Sequence, residues 1–132
     1  MLNKILAVGL GFGAGFLVVG LAMFISSLIY PPPKDLDMQD REAMTSFVQS
    51  LPVGAFLVVL LGHASGALVG GFVCGLISNE VWQLGPLIVG VGFLLSGILN
   101  LRMVPHPTWF AALDLLLYLP AAWLGGYFST LL

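Results

Sequence analysis

Charged side chains are scarce in this chain of 132 residues, in which Lys and Arg number four and Asp and Glu number six. They make up 8% of the chain, against roughly 25% in a typical soluble domain. Hydrophobic residues make up 59%. Because a soluble fold must cover its surface with polar side chains, this composition excludes an ordinary water-soluble protein. We therefore expect the lipid bilayer to be the solvent for most of the surface.

Several signatures of catalysis and of nucleic-acid binding are missing. The formal net charge is only -2, and no cluster of Lys and Arg is present, so nucleic acid is excluded as a partner. One cysteine, Cys74, cannot form an intrachain disulfide. The sequence contains no Cys-x-x-Cys, no His-x-x-x-His and no nucleophile elbow. We expect neither enzymatic activity nor a cofactor.

The two histidines do not suggest a metal site. His63 lies near the middle of a predicted span, whereas His106 lies in a linker between two prolines. At a helical rise of about 1.5 Å per residue, they are too far apart to share an ion. The glycine-rich run from Gly9 to Gly15 begins inside an apolar helix rather than after a strand, which excludes a phosphate-binding loop. No metal is expected.

Four apolar segments are long enough to cross a membrane as helices. The first contains no charged residue, and at about 1.5 Å per residue it exceeds the roughly 30 Å of hydrocarbon in a bilayer. It is also longer than the apolar core of a signal peptide, so we expect it to remain uncleaved. The predicted fold class is all-α, an integral membrane four-helix bundle that forms one transmembrane domain over residues 1–132. The predicted spans are residues 5–30, 52–78, 81–101 and 108–131.

The hydrophilic loop at residues 31–51 separates the first two spans. Three consecutive prolines end the first helix, because proline lacks the N–H that the next helical hydrogen bond needs. The second half of the loop has apolar residues at helical spacing after Asp37 or Asp40, either of which can cap a helix. We expect a short amphipathic helix in the membrane interface, or else an extension of the second span. The apolar residues at this spacing are Met44, Phe47, Val48 and Leu51.

Four spans place both termini on one side of the membrane, opposite the long loop. Three of the four basic residues lie on the loop side and only Lys4 on the terminal side, which favours cytoplasmic loops. We expect a multi-pass protein of a cell membrane, such as the inner membrane of a prokaryote. A tight turn is predicted at Ser78, Asn79 and Glu80. The aromatic residues expected at headgroup level are Trp82, Trp123 and Tyr127 on the terminal side, and Tyr30 and Trp109 on the loop side.

Glycine, with 17 copies, recurs at intervals of four residues in the first two spans. Such rows remove side chains from one face of a helix, so that two backbones can approach closely. The spacing does not decide whether these contacts lie within one chain or between chains. A homo-oligomer or an association with other membrane subunits is therefore expected alongside packing within the chain. The residues predicted to pack helices are Gly9, Gly13, Gly62, Gly66 and Gly70.

A few polar residues interrupt the apolar spans on the loop side. Counted at the helical rise, His63 lies roughly 16 Å deep, Tyr118 roughly 15 Å and Asp114 roughly 9 Å. Asp114 and Tyr118 are four residues apart and so share one face of the last helix. We predict a polar pocket beneath the loop side. Its candidate residues are Asp114, Tyr118, His63, Ser96, Asn100 and Arg102.

Asp114 and His63 can each be interpreted in two ways. A carboxylate inside a membrane is costly and often marks a path for protons or cations. Alternatively, Asp114 is a structural clamp that pairs with Arg102, His106 or Asn100 across the last hairpin. His63 is either a neutral imidazole hydrogen-bonded to a neighbouring helix or a member of a proton relay.

Two functions follow from these patterns. The first is a helix-packing module that self-associates or serves as an accessory subunit of a larger membrane complex. The second is a small proton- or ion-linked transporter or channel whose polar site contains Asp114, Tyr118 and His63. The sequence does not decide between them.

Overall fold

The computed structural model describes residues 1–78 and 83–132. These residues form five α-helices and no strand. Four of the helices are long and apolar enough to cross a membrane, so the predicted all-α class and the four long helices are confirmed. Asn79, Glu80 and Trp82, which belong to the predicted turn and aromatic belt, lie outside the described residues. The helices are α1 (Leu2–Ile29), α2 (Arg41–Ser50), α3 (Val53–Ile77), α4 (Leu84–Met103) and α5 (Thr108–Ser129).

The short helix α2 begins at a side-chain cap. The carboxylate of Asp40 accepts hydrogen bonds from the backbone N–H groups of Glu42 and Ala43, which have no partner within the helix. Of the two predicted caps, Asp40 is therefore the correct one. A break at Leu51 and Pro52 separates α2 from α3. The alternative that this segment extends the second span is wrong, because proline has no N–H with which to continue the ladder.

Helix α3 lies at the centre of the bundle and packs against α1, α4 and α5. Helix α4 also packs against α5 and against α1, whereas the described residues of α1 and α5 do not contact each other. One apolar cluster joins all four long helices and includes Ala7, Ala67, Phe93 and Ala122. A second apolar cluster contains Val48 and packs α2 against the ends of α3 and α5. Large apolar side chains cover much of the outside of the bundle.

Glycines bring α1 and α3 into backbone contact. A Cβ atom at Gly66 would lie 2.8 Å from the carbonyl oxygen of Gly15, and one at Gly70 would lie 2.9 Å from that of Gly11. Gly62 also faces α1, where a Cβ would collide with the Cβ of Ala22. Gly62, Gly66 and Gly70, which the sequence predicts to pack helices, thus lie on the face of α3 that contacts α1 within one chain.

Gly9 and Gly13 do not pack any helix within the chain. Both are exposed, and a Cβ at either position would meet nothing within 4 Å. Two residues along a helix correspond to a rotation of about 200°. The pair Gly9 and Gly13 therefore faces nearly opposite to the pair Gly11 and Gly15, and only one of the two pairs can face α3. The glycines of α1 that pack against α3 are Gly11 and Gly15.

A second glycine seam, absent from the predicted set, joins α3 to α5. A Cβ at Gly71 would collide with the backbone of Ala122, and one at Gly125 with the carbonyl of Leu68. Gly75 packs against Gly126 and Ser129. Because Gly71 and Gly125 contact backbone atoms, a side chain added at either position could be accommodated only if the two helices moved apart. This seam holds α3 and α5 side by side and in parallel.

Candidate functional site

Three polar side chains from α3 and α5 meet inside the bundle. The His63 Nδ1 atom lies 2.6 Å from Asp114 Oδ1, and the Tyr118 hydroxyl lies 2.9 Å from Asp114 Oδ2. The hydroxyl also lies 3.0 Å from His63 Nδ1. Asp114 is fully buried, and Tyr118 and His63 are 2% and 8% exposed. The three predicted residues therefore form one connected cluster, which we call the His–Asp–Tyr triad.

The hydrogen bonds of the triad assign its protons. An ionised carboxylate only accepts, so Tyr118 donates its single hydrogen to Asp114, and His63 donates its Nδ1–H to the other oxygen. The Tyr118 oxygen is then a second acceptor for the same Nδ1–H. In the state with an ionised Asp114 carboxylate, the neutral imidazole is therefore the tautomer whose lone pair is on Nε2.

Local sequence explains why these side chains converge. Asp114 and Tyr118 are one helical turn apart on α5, so both face α3. On α3, His63 and Ala67 are one turn apart and share a face, so the small Ala67 leaves His63 as the large polar group facing α5. The bare Cα of Gly97 on α4 leaves room for the Tyr118 ring, because a Cβ there would lie 2.6 Å from that ring.

A cavity of about 240 Å³ borders the triad between α1, α3 and α4. His63 and Tyr118 form its inner wall, with Asp114 behind them. Both hydrogen bonds of His63 use Nδ1, and its side chain remains 10% exposed. The Nε2 atom has no hydrogen-bond partner among the described residues and is not fully buried. The cavity is lined by Phe16, Val19, Met23, His63, Phe93, Ser96, Gly97, Asn100 and Tyr118.

Ser96 and Asn100 add polar groups to the outer part of this cavity. The Ser96 hydroxyl donates to the carbonyl of Gly92 at 2.9 Å, which leaves its oxygen free to accept. Asn100 and Met23 also line a second cavity, of about 350 Å³, beneath α2. The two cavities thus adjoin and lead from the triad toward the loop side.

The pairing predicted for Asp114 within its own hairpin is not the one that the structure has. Asp114 pairs with His63 of α3 rather than with Arg102, His106 or Asn100 of its own hairpin. Arg102 is exposed at the end of α4 and has no ion pair among the described residues. A long cationic side chain at a helix end gains more from solvent or headgroups than from a buried site. Arg102 is therefore not part of the pocket.

Comparison with family models, with curated proteins and with solved structures gave no match. Within residues 1–78 and 83–132, no group of three or more His, Cys, Asp or Glu side chains is arranged to hold a metal ion.

His106 lies in the linker between α4 and α5, above the triad. Its Nδ1 lies 2.7 Å from the carbonyl of Val104, to which it donates, and its ring stacks on Phe110. Burial is the largest influence and lowers the pKa of His106 below its ordinary value of 6.5, although the Val104 carbonyl acts in the opposite direction. Since the folded state resists protonation, this group's contribution to stability is complete above pH 6.5 and falls as the pH drops below that value.

The triad can exist in two charge states. With a neutral imidazole and an ionised carboxylate, the pair of His63 and Asp114 has a charge of about -1. A proton taken up at Nε2 gives an imidazolium beside a carboxylate, and the pair becomes neutral overall. Because the carboxylate is fully buried, the first state is costly unless a positive charge lies nearby.

Proposed function

We propose that this chain crosses a cell membrane four times and is a small proton-linked transporter, with the His–Asp–Tyr triad as its proton-binding site. One observation carries the proposal: a buried His63–Asp114 pair whose histidine lines a cavity. Ionisable groups within membrane helices are expensive, and those retained often mark substrate or proton pathways. A role in packing alone is met by glycine and alanine and does not need a carboxylate.

Proton binding at the triad can be measured without knowledge of the substrate. Proteoliposomes on a solid-supported membrane would be exposed to a rapid change of pH, and the transient current recorded. We expect a current from the wild-type chain and none from Asp114→Asn, because the amide cannot balance an imidazolium. Asp35→Asn, the same change in the exposed loop, is the matched control and should retain the current. A current that survives Asp114→Asn would refute the assignment.

Thiol labelling in intact membranes tests the four-span arrangement. Cys74 is replaced by Ala, and single cysteines are placed at Gln39, Pro105, Asn3 and Thr130. We expect the first two to react from one side of the membrane and the last two from the other, because four spans return the chain to its starting side. Reaction of Thr130 from the same side as Gln39 would disprove the arrangement. The basic residues of the loop side predict that this side is cytoplasmic.

A second candidate, a packing module that self-associates or joins a larger membrane complex, is favoured by the outer face of α1. Gly9 and Gly13 have nothing within 4 Å there, and α1 is the least buried of the four long helices. A partner helix could approach closely at these two positions. Intact-complex mass spectrometry after gentle extraction would identify such a partner. If the chain has this role, the mass spectrum should show a stoichiometric complex, and Gly13→Leu should disrupt that complex.

A further inference from the structure

We propose that the cavity beside the triad takes a small organic cation of the substituted ammonium class, and that this cation and a proton at His63 exclude each other. The inference rests on the proposed function, whose proton site it shares. It assigns the substrate class and the exchange of one positive charge for another.

The first argument is charge. When His63 is neutral, the buried Asp114 carboxylate leaves the pair with a net negative charge beside the cavity. A buried charge without compensation is strongly disfavoured, so this state attracts a cation and repels an anion. When His63 is protonated, the imidazolium supplies the compensation itself. The incoming cation and the proton therefore neutralise the same negative charge, so that binding of one disfavours binding of the other.

The second argument is the aromatic wall. The rings of Phe16 and Phe93 stack at a centroid distance of 4.9 Å, and those of Phe93 and Tyr118 at 6.2 Å. All three residues line the cavity. An aromatic ring attracts a cation placed over its face, by roughly 2 kcal/mol or more where water is excluded, so the ring faces that stacking leaves open to the cavity favour a quaternary ammonium group. An inorganic cation such as Ca²⁺ or Mg²⁺ takes about six or more oxygen ligands, whereas the side chains of this wall offer oxygens only on Ser96, Asn100 and Tyr118.

The third argument is size and polarity. Sites for drug-sized ligands have volumes of roughly 300–1,000 Å³. The cavity, at about 240 Å³, therefore suits a smaller molecule. Ser96 and Asn100 sit at the outer end and can hydrogen-bond a hydroxyl or amine substituent. The expected ligand has a compact cationic head toward Tyr118 and His63 and a short polar tail.

No other titratable group in the described residues lines the cavity. Helix α1 contributes Phe16, Val19 and Met23, and α4 contributes neutral side chains. Besides Asp114 and Tyr118, the group whose charge interacts with His63 is His106 in the linker. The competition between proton and cation is thus confined to the triad, with His106 as a neighbouring influence.

Choline is the probe, and 3,3-dimethyl-1-butanol is its neutral analogue of the same shape. Calorimetry on the purified wild-type chain in detergent would be run from about pH 5 to about pH 8. Where His63 is protonated, we expect the Kd of choline to rise about tenfold for each unit fall in pH, as one proton competes with one cation. The neutral alcohol should bind at least about tenfold more weakly than choline at the highest pH.

Two variants separate the cation site from folding. Phe93→Leu should weaken choline binding, because it removes the central ring of the wall, but Phe93 is only 3% exposed and its loss also affects packing. Phe16→Leu removes a ring that is 47% exposed at the rim and should weaken choline binding without unfolding the chain. Wherever Asp114→Asn is measured, Asp35→Asn in the exposed loop is its matched control.

Equal binding of choline and its neutral analogue would overturn the inference, as would a choline Kd independent of pH or no choline binding at millimolar concentration. The transient current separates this failure from that of the proposed function. If choline does not bind and the Asp114-dependent current persists, the proton site stands and the substrate class is wrong. If the current is also absent, both are wrong.

Discussion

Asp114→Asn should lower the free energy of unfolding by about 1–3 kcal/mol, the cost of leaving a buried polar group without its partner. The amide oxygen can still accept from Tyr118, but the amide N–H groups now face His63 Nδ1, which is the donor in the wild-type chain. His63 must then change its tautomer, and the second amide hydrogen has no acceptor among the triad. The measurement is unfolding of the purified chain by SDS titration.

A double-mutant cycle identifies the partner of Asp114. In a His63→Gln background, most of the cost of Asp114→Asn should disappear, because the bond at 2.6 Å is already lost. In an Arg102→Gln background the full cost should remain, since Arg102 is exposed and does not contact Asp114. The opposite result, with coupling to Arg102 and additivity with His63, would place Asp114 in its own hairpin and contradict the triad.

The level of the polar residues in the bundle was predictable from the sequence. The helical rise placed His63 and Tyr118 within about 1 Å of the same depth, and the four-residue interval placed Asp114 on the face of Tyr118. The structure brings these three side chains into hydrogen bonds. The depth of a residue along its helix and the face that it occupies depend only on its position in that helix, so both can be predicted from a single sequence.

The partner of Asp114 was not predictable from depth, because it depends on which helices are neighbours. Proximity along the chain favoured the hairpin of α4 and α5, and hence Arg102 or Asn100. The structure instead pairs α5 with α3 along their glycine seam. One signal was present in the sequence: small residues recur eight positions after His63, at Gly71, and eight after Asp114, at Ala122.

The orientation of the first glycine row shows a related limit. Gly9 and Gly13 have the same spacing as Gly11 and Gly15, so spacing cannot distinguish the two faces of α1. Which face is buried depends on the neighbouring residues. Ala7 lies four residues before Gly11, so that Ala7, Gly11 and Gly15 form one buried stripe. In α1, the buried face is therefore the one that carries three small residues at intervals of four.

The seam between α3 and α5 sets the register of the triad. His63 and Asp114 are 51 positions apart in sequence, and the contacting pair Gly71 and Ala122 has the same offset, since 122 minus 71 is 51. A constant offset means that the helices run parallel without slipping between the two levels. Any change that separates them at Gly71 should therefore also lengthen the bond at His63.

Substitution of alanine for glycine should consequently have opposite effects on the two faces of the bundle. At Gly125 the added Cβ would collide with the carbonyl of Leu68, and overpacking of this kind costs about 1–3 kcal/mol. At Gly13 the Cβ meets nothing within 4 Å, and alanine gains up to about 1 kcal/mol of helix propensity. Gly125→Ala should lower the melting temperature in detergent, whereas Gly13→Ala should leave it unchanged or raise it.

The same pair of variants tests whether the seam supports the site as well as the fold. Gly125→Ala pushes α5 away from α3, so it should reduce the transient current on a pH change even at temperatures where the chain remains folded. Gly13→Ala lies on the outer face of α1 and should keep the wild-type current. A Gly125→Ala variant that melts early but retains the full current would show that the triad tolerates a wider helix separation than its 2.6 Å bond implies. Equal melting temperatures for both variants would show that α3 and α5 are not in backbone contact.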